Sequence, residues 1–129
     1  MAAEPTVCHD AAVMSVVIVD DHPGFRATAR ALLEEEGYVV VGEAEDGASA
    51  LAAVAKLRPG LVLLDVQLPD MNGFDLAPLL QRNGSAPAVI LTSSRDVADF
   101  GTLVEESGAR GFVPKDELSG AALAALLTR

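Results

Sequence analysis

Five short apolar runs set the strongest constraint on what this chain can become. Val13-Met14-Ser15-Val16-Val17-Ile18-Val19 is rich in β-branched residues and too continuous for a strand with one wet face. Leu61-Val62-Leu63-Leu64, Ala88-Val89-Ile90-Leu91, Gly111-Phe112-Val113 and Tyr38-Val39-Val40-Val41 complete the set. Strands that are apolar on successive residues suit a parallel sheet covered on both faces. The segments between them have helical spacing. Phe25, Ala29, Leu32 and Leu33 share one face, and Gly37 follows at a stop position. Residues 48–57 are Ala-rich and stop at Arg58-Pro59-Gly60. Residues 74–82 carry Pro78, which limits how early that helix can begin. Residues 97–107 contain Gly101 and have the weakest helical pattern, whereas 118–127 read as a terminal helix with Leu123, Leu126 and Leu127 on one stripe. Five strands alternating with five helices imply right-handed crossovers and an α/β domain: a five-stranded parallel sheet with helices on both faces.

Length and charge exclude several function classes. A chain of 129 residues supports one core. Nineteen acidic residues against nine basic ones give a net charge of −10, which repels nucleic-acid phosphates and argues against DNA binding by this domain alone. Trp is absent and aromatics make up 4% of the chain, so base-stacking platforms are not expected. Cys8 is the only cysteine. It can form neither an internal disulfide nor a thiolate metal site, which fits a reducing, cytoplasmic setting. The apolar runs break well short of the ~18 residues that a membrane span needs. Residues 1–12 carry Glu4, His9 and Asp10 without a basic start, unlike a secretory signal.

The residues that end the strands carry the chemistry. The first run ends at Asp20-Asp21, the third at Asp65, the fourth at Thr92 and the fifth at Pro114-Lys115. In a parallel sheet all carboxyl ends share one edge, and ligands of open α/β sheets bind outside it. Three carboxylates, a hydroxyl and an ammonium are therefore expected at one small site. Asp20, Asp21 and Asp65 with Lys115 sum to −2, an arrangement that repels itself until a divalent cation joins it. An all-oxygen site with room for water suits Mg²⁺. A phosphoryl group of about −2 charge on Asp65 would bring it and the two other acids to about −4; Lys115 leaves −3, and Mg²⁺ as well leaves −1. Thr92 and Lys115 can each donate to phosphoryl oxygens. This is equipment for phosphoryl transfer to an aspartyl nucleophile.

From about Ser15 to Leu127 the chain resembles the receiver domain of two-component response regulators. The motifs are Val-Asp20-Asp21-His-Pro, Leu-Leu-Asp65-Val-Gln-Leu-Pro69-Asp-Met-Asn-Gly73, Ile-Leu-Thr92-Ser and Gly-Phe112-Val-Pro-Lys115. The first and last look most like receivers that precede LuxR/NarL-type DNA-binding domains. The resemblance implies a flavodoxin-like, CheY-like (βα)5 fold with strand order 2-1-3-4-5, the domain occupying residues 14–129 behind a disordered extension at 1–13. It implies phosphorylation of Asp65 by a sensor histidine kinase or a small phosphodonor. Asp21 and Asp65 would ligate Mg²⁺ directly, Asp20 mainly through water and Gln67 through its backbone carbonyl, with Mn²⁺ as a substitute. Thr92 would move toward the phosphoryl group and Phe112 would follow, altering the surface of the fourth helix, fifth strand and fifth helix. That surface would serve a homodimer or an output domain, with transcription regulation as the expected output and slow self-dephosphorylation as the only turnover. Asp116 stands where many receivers have a cis proline after the Lys, and Gln67 and Ser94 fill positions that tune phosphoryl lifetime.

Blander readings compete at each residue. Acids before a helix are commonly dipole partners, and Asp65 could cap the turn at 69–73. A lone Lys after a strand is usually solvated, and Phe112 could be plain core. His22 beside the acids suggests a metal ligand or phosphoacceptor, but it has no second His or Cys nearby and reads better as a loop residue. Glu34-Glu35-Glu36 reads as a solvated helix end. Gly42 to Gly47 has P-loop spacing without the Gly-Lys-Ser/Thr that such a loop needs. A haloacid-dehalogenase-type hydrolase would also place an Asp at a strand end, but it needs a second acid where Gln67 stands. A degenerate receiver that only binds a partner is the third reading; the complete set of acceptor-site residues argues against it.

Overall fold

The computed structural model describes residues 14–82 and 86–128. The expected extension at 1–13 lies outside the described residues. The chain runs β1 (Ser15–Val19), α1 (Pro23–Glu35), β2 (Val39–Ala44), α2 (Gly47–Leu57), β3 (Leu61–Asp65), α3 (Gly73–Gln81), β4 (Ala88–Ser93), α4 (Leu103–Glu106), β5 (Gly111–Pro114) and α5 (Gly120–Leu127). All pairings are parallel and the strand order is β2-β1-β3-β4-β5, as expected. The order reverses at β1, between β2 and β3, and the crevice at that switch point is where such sheets take ligands.

Why the runs are unbroken is visible in the two cores. Val17, Val19, Val62, Leu64, Val89 and Leu91 face one side, where Ala50 and Val54 of α2, Leu76 and Leu80 of α3 and Val104 of α4 cover them. Their neighbours Val16, Ile18, Leu61, Leu63 and Ile90 face the other, under Ala29 and Leu33 of α1 and Leu123 of α5. Apart from Ser15 and Ala88 at the strand starts, every residue of β1, β3 and β4 is thus buried by one layer or the other. β2 departs from the pattern. As an edge strand it leaves Val39 and Val41 exposed and buries Val40 and Ala44.

Three helices differ from their expected extents. The segment 97–107 is not one helix: a 3-10 turn at Val97–Phe100 gives way to the single turn α4. Gly101, at φ 59° and ψ −125°, breaks the helical backbone between them. α3 begins at Gly73 despite Pro78, which stands inside the helix with no N–H to offer the carbonyl of Phe74. α5 begins at Gly120 rather than 118, because 115–117 form a 3-10 turn and Ser119 caps the helix by accepting from the Ala122 amide at 3.0 Å.

Leu63, fully buried between α1 and α5, is a direct check on this layering. Leu63→Ala is expected to lower unfolding stability by about 2–5 kcal/mol in urea denaturation. A loss below about 0.5 kcal/mol, the range of an ordinary surface substitution, would contradict its placement.

Candidate functional site

Strand register assembles the site. Val19 pairs with Leu64, so Asp20 and Asp65 leave the sheet side by side. Asp65 pairs with Thr92, Thr92 with Val113, and Lys115 follows Pro114 one step beyond β5. The sheet ladder continues past the strands: the Asp20 amide donates to the Ala44 carbonyl and the Val66 amide to the Thr92 carbonyl, each at 3.0 Å. Both acids are thereby held by backbone, and both are buried. Asp21, one residue further along the loop, is exposed.

Lys115 is the cation of this corner. Its Nζ lies 2.7 Å from Asp20 Oδ2 and 3.5 Å from Asp65 Oδ2, and 4.6 Å from the centre of the Phe25 ring. The ammonium approaches Asp20 Oδ2 closely but away from hydrogen-bonding directions. That oxygen is the one buried side-chain polar atom among the described residues without a hydrogen-bond partner. Buried carboxylate oxygens left in this condition are costly unless a cation completes them. Asp20 Oδ1 is satisfied by the His22 amide at 2.8 Å. His22 Nδ1 lies 3.0 Å from both Asp20 Oδ1 and Asp21 Oδ1.

Asp65 shows the strain of this crowding. Burial first, and the neighbouring Asp20 carboxylate second, push its pKa up to about 6; the Gln67 amide and Lys115 pull the other way. The Gln67 N–H donates to Asp65 Oδ1 at 3.2 Å. Gly73 makes this geometry possible. A Cβ there would lie 2.6 Å from the Asp65 carbonyl oxygen and 3.0 Å from Val66 Cα, so only glycine lets α3 start against the Asp65 backbone.

One ligand atom each from Asp20, Asp21, His22 and Asp65 lies within 4.8 Å of the others. Together with Asp20 Oδ2, which has the Lys115 ammonium beside it but no hydrogen bond, this oxygen-rich cluster fits a hard divalent cation such as Mg²⁺. Thr92 reaches the same rim, but its buried hydroxyl donates to the Val113 carbonyl at 2.6 Å rather than pointing to an open space. It caps no helix; Asp96 caps the following 3-10 turn by accepting from the Ala98 amide, and Ser93 Oγ accepts from the Arg95 amide in the loop before it. Phe112 is half-buried, its ring 5.6 Å from Phe100, which lies 5.2 Å from Phe74.

Two supporting residues escaped the sequence reading. Arg26 donates to the Asp20 carbonyl and, through Nε, to Glu43 Oε1 at 3.0 Å, while Arg30 Nε holds Glu43 Oε2 at 2.8 Å. The hydrogen bond from Arg30, more than any other cause, keeps the Glu43 carboxyl below the usual range. Phe25 supplies the ring beside Lys115. The signal available for both was position: they open the helix that leaves the acidic loop, one turn from Asp21.

Comparisons with known proteins agree with this geometry. The response regulator receiver domain family model matches residues 16–127. The DNA-binding response regulator MtrA of Mycolicibacterium smegmatis is 42% identical over 102 residues, covering 78% of this chain and 43% of that protein. A protein-glutamate methylesterase/protein-glutamine glutaminase of Hahella chejuensis is 35% identical over 106 residues, covering 81% of this chain and 30% of that protein. The chain thus spans half the length or less of these curated relatives. Among solved structures, the signal receiver domain of a Mycobacterium tuberculosis protein named NarL superposes with a TM-score of 0.79 at 35% identity, covering 91% of this chain and 98% of that one.

The raised acid gives a stability test. Folding favours the protonated form of Asp65, so its contribution is whole below about pH 4 and is lost as the pH rises through about 6. In metal-free protein Asp65→Asn is therefore expected to stabilise the fold at neutral pH by roughly 1–2 kcal/mol, less than the full shift because Lys115 loses a partner. The gain should shrink toward zero near pH 4 in urea unfolding. Equal stability of the two proteins at neutral pH would contradict the crowding.

Proposed function

The chain belongs to the response regulator receiver family, and from that premise we propose that Asp65 is its phosphoacceptor, with Thr92 and Lys115 as the residues that read the phosphoryl group. The observation that carries this reading is the buried Asp65 carboxylate, beside Asp20 and within reach of Lys115, at the switch point of the sheet. A carboxylate oxygen of Asp65 attacks the phosphorus of a phosphohistidine on a sensor kinase, or of an acyl phosphate. The new O–P bond forms as the bond to the donor breaks, and the electron pair leaves on the donor's nitrogen or oxygen. Receiver domains bind Mg²⁺ at such an acidic pocket, and when bound here it would offset the charge of the acids and of the transferred group. Asp20, Asp21 and Asp65, with the Gln67 carbonyl, would hold it, and Mn²⁺ would substitute.

What the chain's own residues then do follows from their resting partners. Lys115 is already between Asp20 and Asp65 and needs only a small move to meet a phosphoryl oxygen. Thr92 must give up Val113 to do the same. Releasing that carbonyl loosens β5 beside Phe112, whose ring rests on Phe100 at the start of the segment leading into α4. The local charge change is thus passed to the face built by α4, β5 and α5. That face would carry the output, through a second copy or an attached domain. Transcription regulation is supported by relatives named as transcription regulators and by the DNA-binding name of the MtrA relative, while the methylesterase relative carries a different kind of activity. Turnover in this chain would be slow self-dephosphorylation. Among the described residues no helix is long and apolar enough to cross a membrane, and a cytoplasmic setting beside the kinase suits the reading.

Incubation with acetyl phosphate and Mg²⁺, read by intact mass and peptide mapping, is expected to add one phosphoryl group on Asp65 and none to the Asp65→Asn protein. A label mapped to another residue, or no label on the native chain, would overturn the assignment. Lys115→Ala should still fold and accept the label, while losing the beryllofluoride-induced change at Phe112 that the native protein shows by NMR. An unaltered response would remove Lys115 from the switch.

A further inference from the structure

The turn that follows Asp65 has an anchor well away from the acidic corner. Asp70 reaches across to the start of α2, where Oδ1 accepts from the Gly47 amide at 2.8 Å and Oδ2 from the Ala48 amide at 3.1 Å. A helix start leaves its first backbone amides without internal partners, and here every one is accounted for. Asp46, the local cap, accepts from the Ser49 amide at 2.8 Å, and Ser49 Oγ accepts from the Asp46 amide at 3.3 Å. The two remaining donors, Gly47 and Ala48, belong to Asp70, a residue 22 or more positions away in sequence.

Met71 follows Asp70 onto the same spot. A Cβ on Gly47 would lie 2.5 Å from Met71 Sδ, so the turn and the helix are in close contact there. The turn itself is tight. The Leu68 amide donates to the Met71 carbonyl at 3.2 Å, and Gln67 and Asn72 face each other as an antiparallel bridge. Its base is fixed by Gly73 against Asp65, and its tip by Asp70 against α2. Gln67 lies between these two points, with its amide on Asp65 Oδ1.

We propose that Asp70 is a positioning residue for the acceptor site: by tying the tip of this turn to α2 it fixes Gln67, and so sets both the hydrogen bond on Asp65 and the carbonyl offered to the cation. The proposal rests on the reading of Asp65 and Gln67 given above. It gives Asp70 a role that Asp46 lacks. Both carboxylates cap α2, but the side-chain bonds of Asp46 all go to Ser49 and reach nothing in the turn.

That contrast supplies the experiment. In the full chain, Asp70→Ala, Asp70→Asn and Asp46→Ala are compared for Mg²⁺ affinity, for hydrogen exchange of the Gln67 amide in metal-free protein, and for melting midpoint. Asp70→Ala is expected to weaken Mg²⁺ binding about tenfold, the lower range for residues that orient a metal ligand, and to speed exchange at Gln67. Asp70→Asn, which keeps the shape and one acceptor, should fall between it and the native chain. Asp46→Ala should lower the melting midpoint as Asp70→Ala does, yet change Mg²⁺ affinity by less than about twofold, the scale of a screened exposed charge. Native Mg²⁺ affinity and native Gln67 exchange in Asp70→Ala would reduce Asp70 to a helix cap and overturn the proposal alone. A native chain that binds no Mg²⁺ would overturn the proposal together with the reading beneath it.

Discussion

Two carboxylates buried side by side at the end of a sheet, with one ammonium between them, are the arrangement on which the rest depends. Asp20 and Asp65 have no freedom to separate, since the backbone ladder continues through both positions. Lys115 relieves part of their repulsion and leaves Asp20 Oδ2 without a proper hydrogen bond. Such a corner is under-neutralised by construction. It favours a proton on Asp65 or a bound cation, and it makes the affinity for an added anion depend on that cation. The fold contributes the confinement. Fully buried apolar residues on both faces of the sheet keep the strands in register, and the register brings the acids together.

The same confinement explains how a small event at Asp65 can have a distant effect. Thr92 and Val113 are cross-strand partners joined by a side-chain hydrogen bond as well as by the ladder. Whatever draws the Thr92 hydroxyl away breaks the side-chain bond and spares the ladder. β5 is short, and the segment packed beside it is a 3-10 turn and one turn of helix rather than a long rigid rod. Elements this short have few internal hydrogen bonds to lose, which suits the region to adopting a second arrangement.

Much of this was legible in the sequence, for identifiable reasons. Unbroken apolar runs report burial on both faces, and in a parallel sheet the residues that end them must share an edge, so Asp20, Asp65, Thr92 and Lys115 could be brought together without coordinates. What the pattern did not reveal is what depends on side-chain reach. The Thr92 hydroxyl is committed to Val113, His22 turns back onto both acids, and Arg26 and Phe25 support Asp20 and Lys115 from α1. Asp70 gave no sign of its role because its partners, the Gly47 and Ala48 amides, lie on α2, far away in sequence. The division of 97–107 was foreshadowed by Gly101, but periodicity alone could not say that the backbone would leave the helical region there.

The most direct measurement is a two-dimensional NMR titration of the native chain with Mg²⁺ and then beryllofluoride. If the acids form one cation-completed anion site, Mg²⁺ alone should shift the amides of residues 20–22 and 65–67 together. Beryllofluoride should then shift Thr92, Val113 and Lys115, only when Mg²⁺ is present. Beryllofluoride shifts at Thr92 and Lys115 without Mg²⁺, or Mg²⁺ shifts that spare Asp20 and Asp65, would contradict the account.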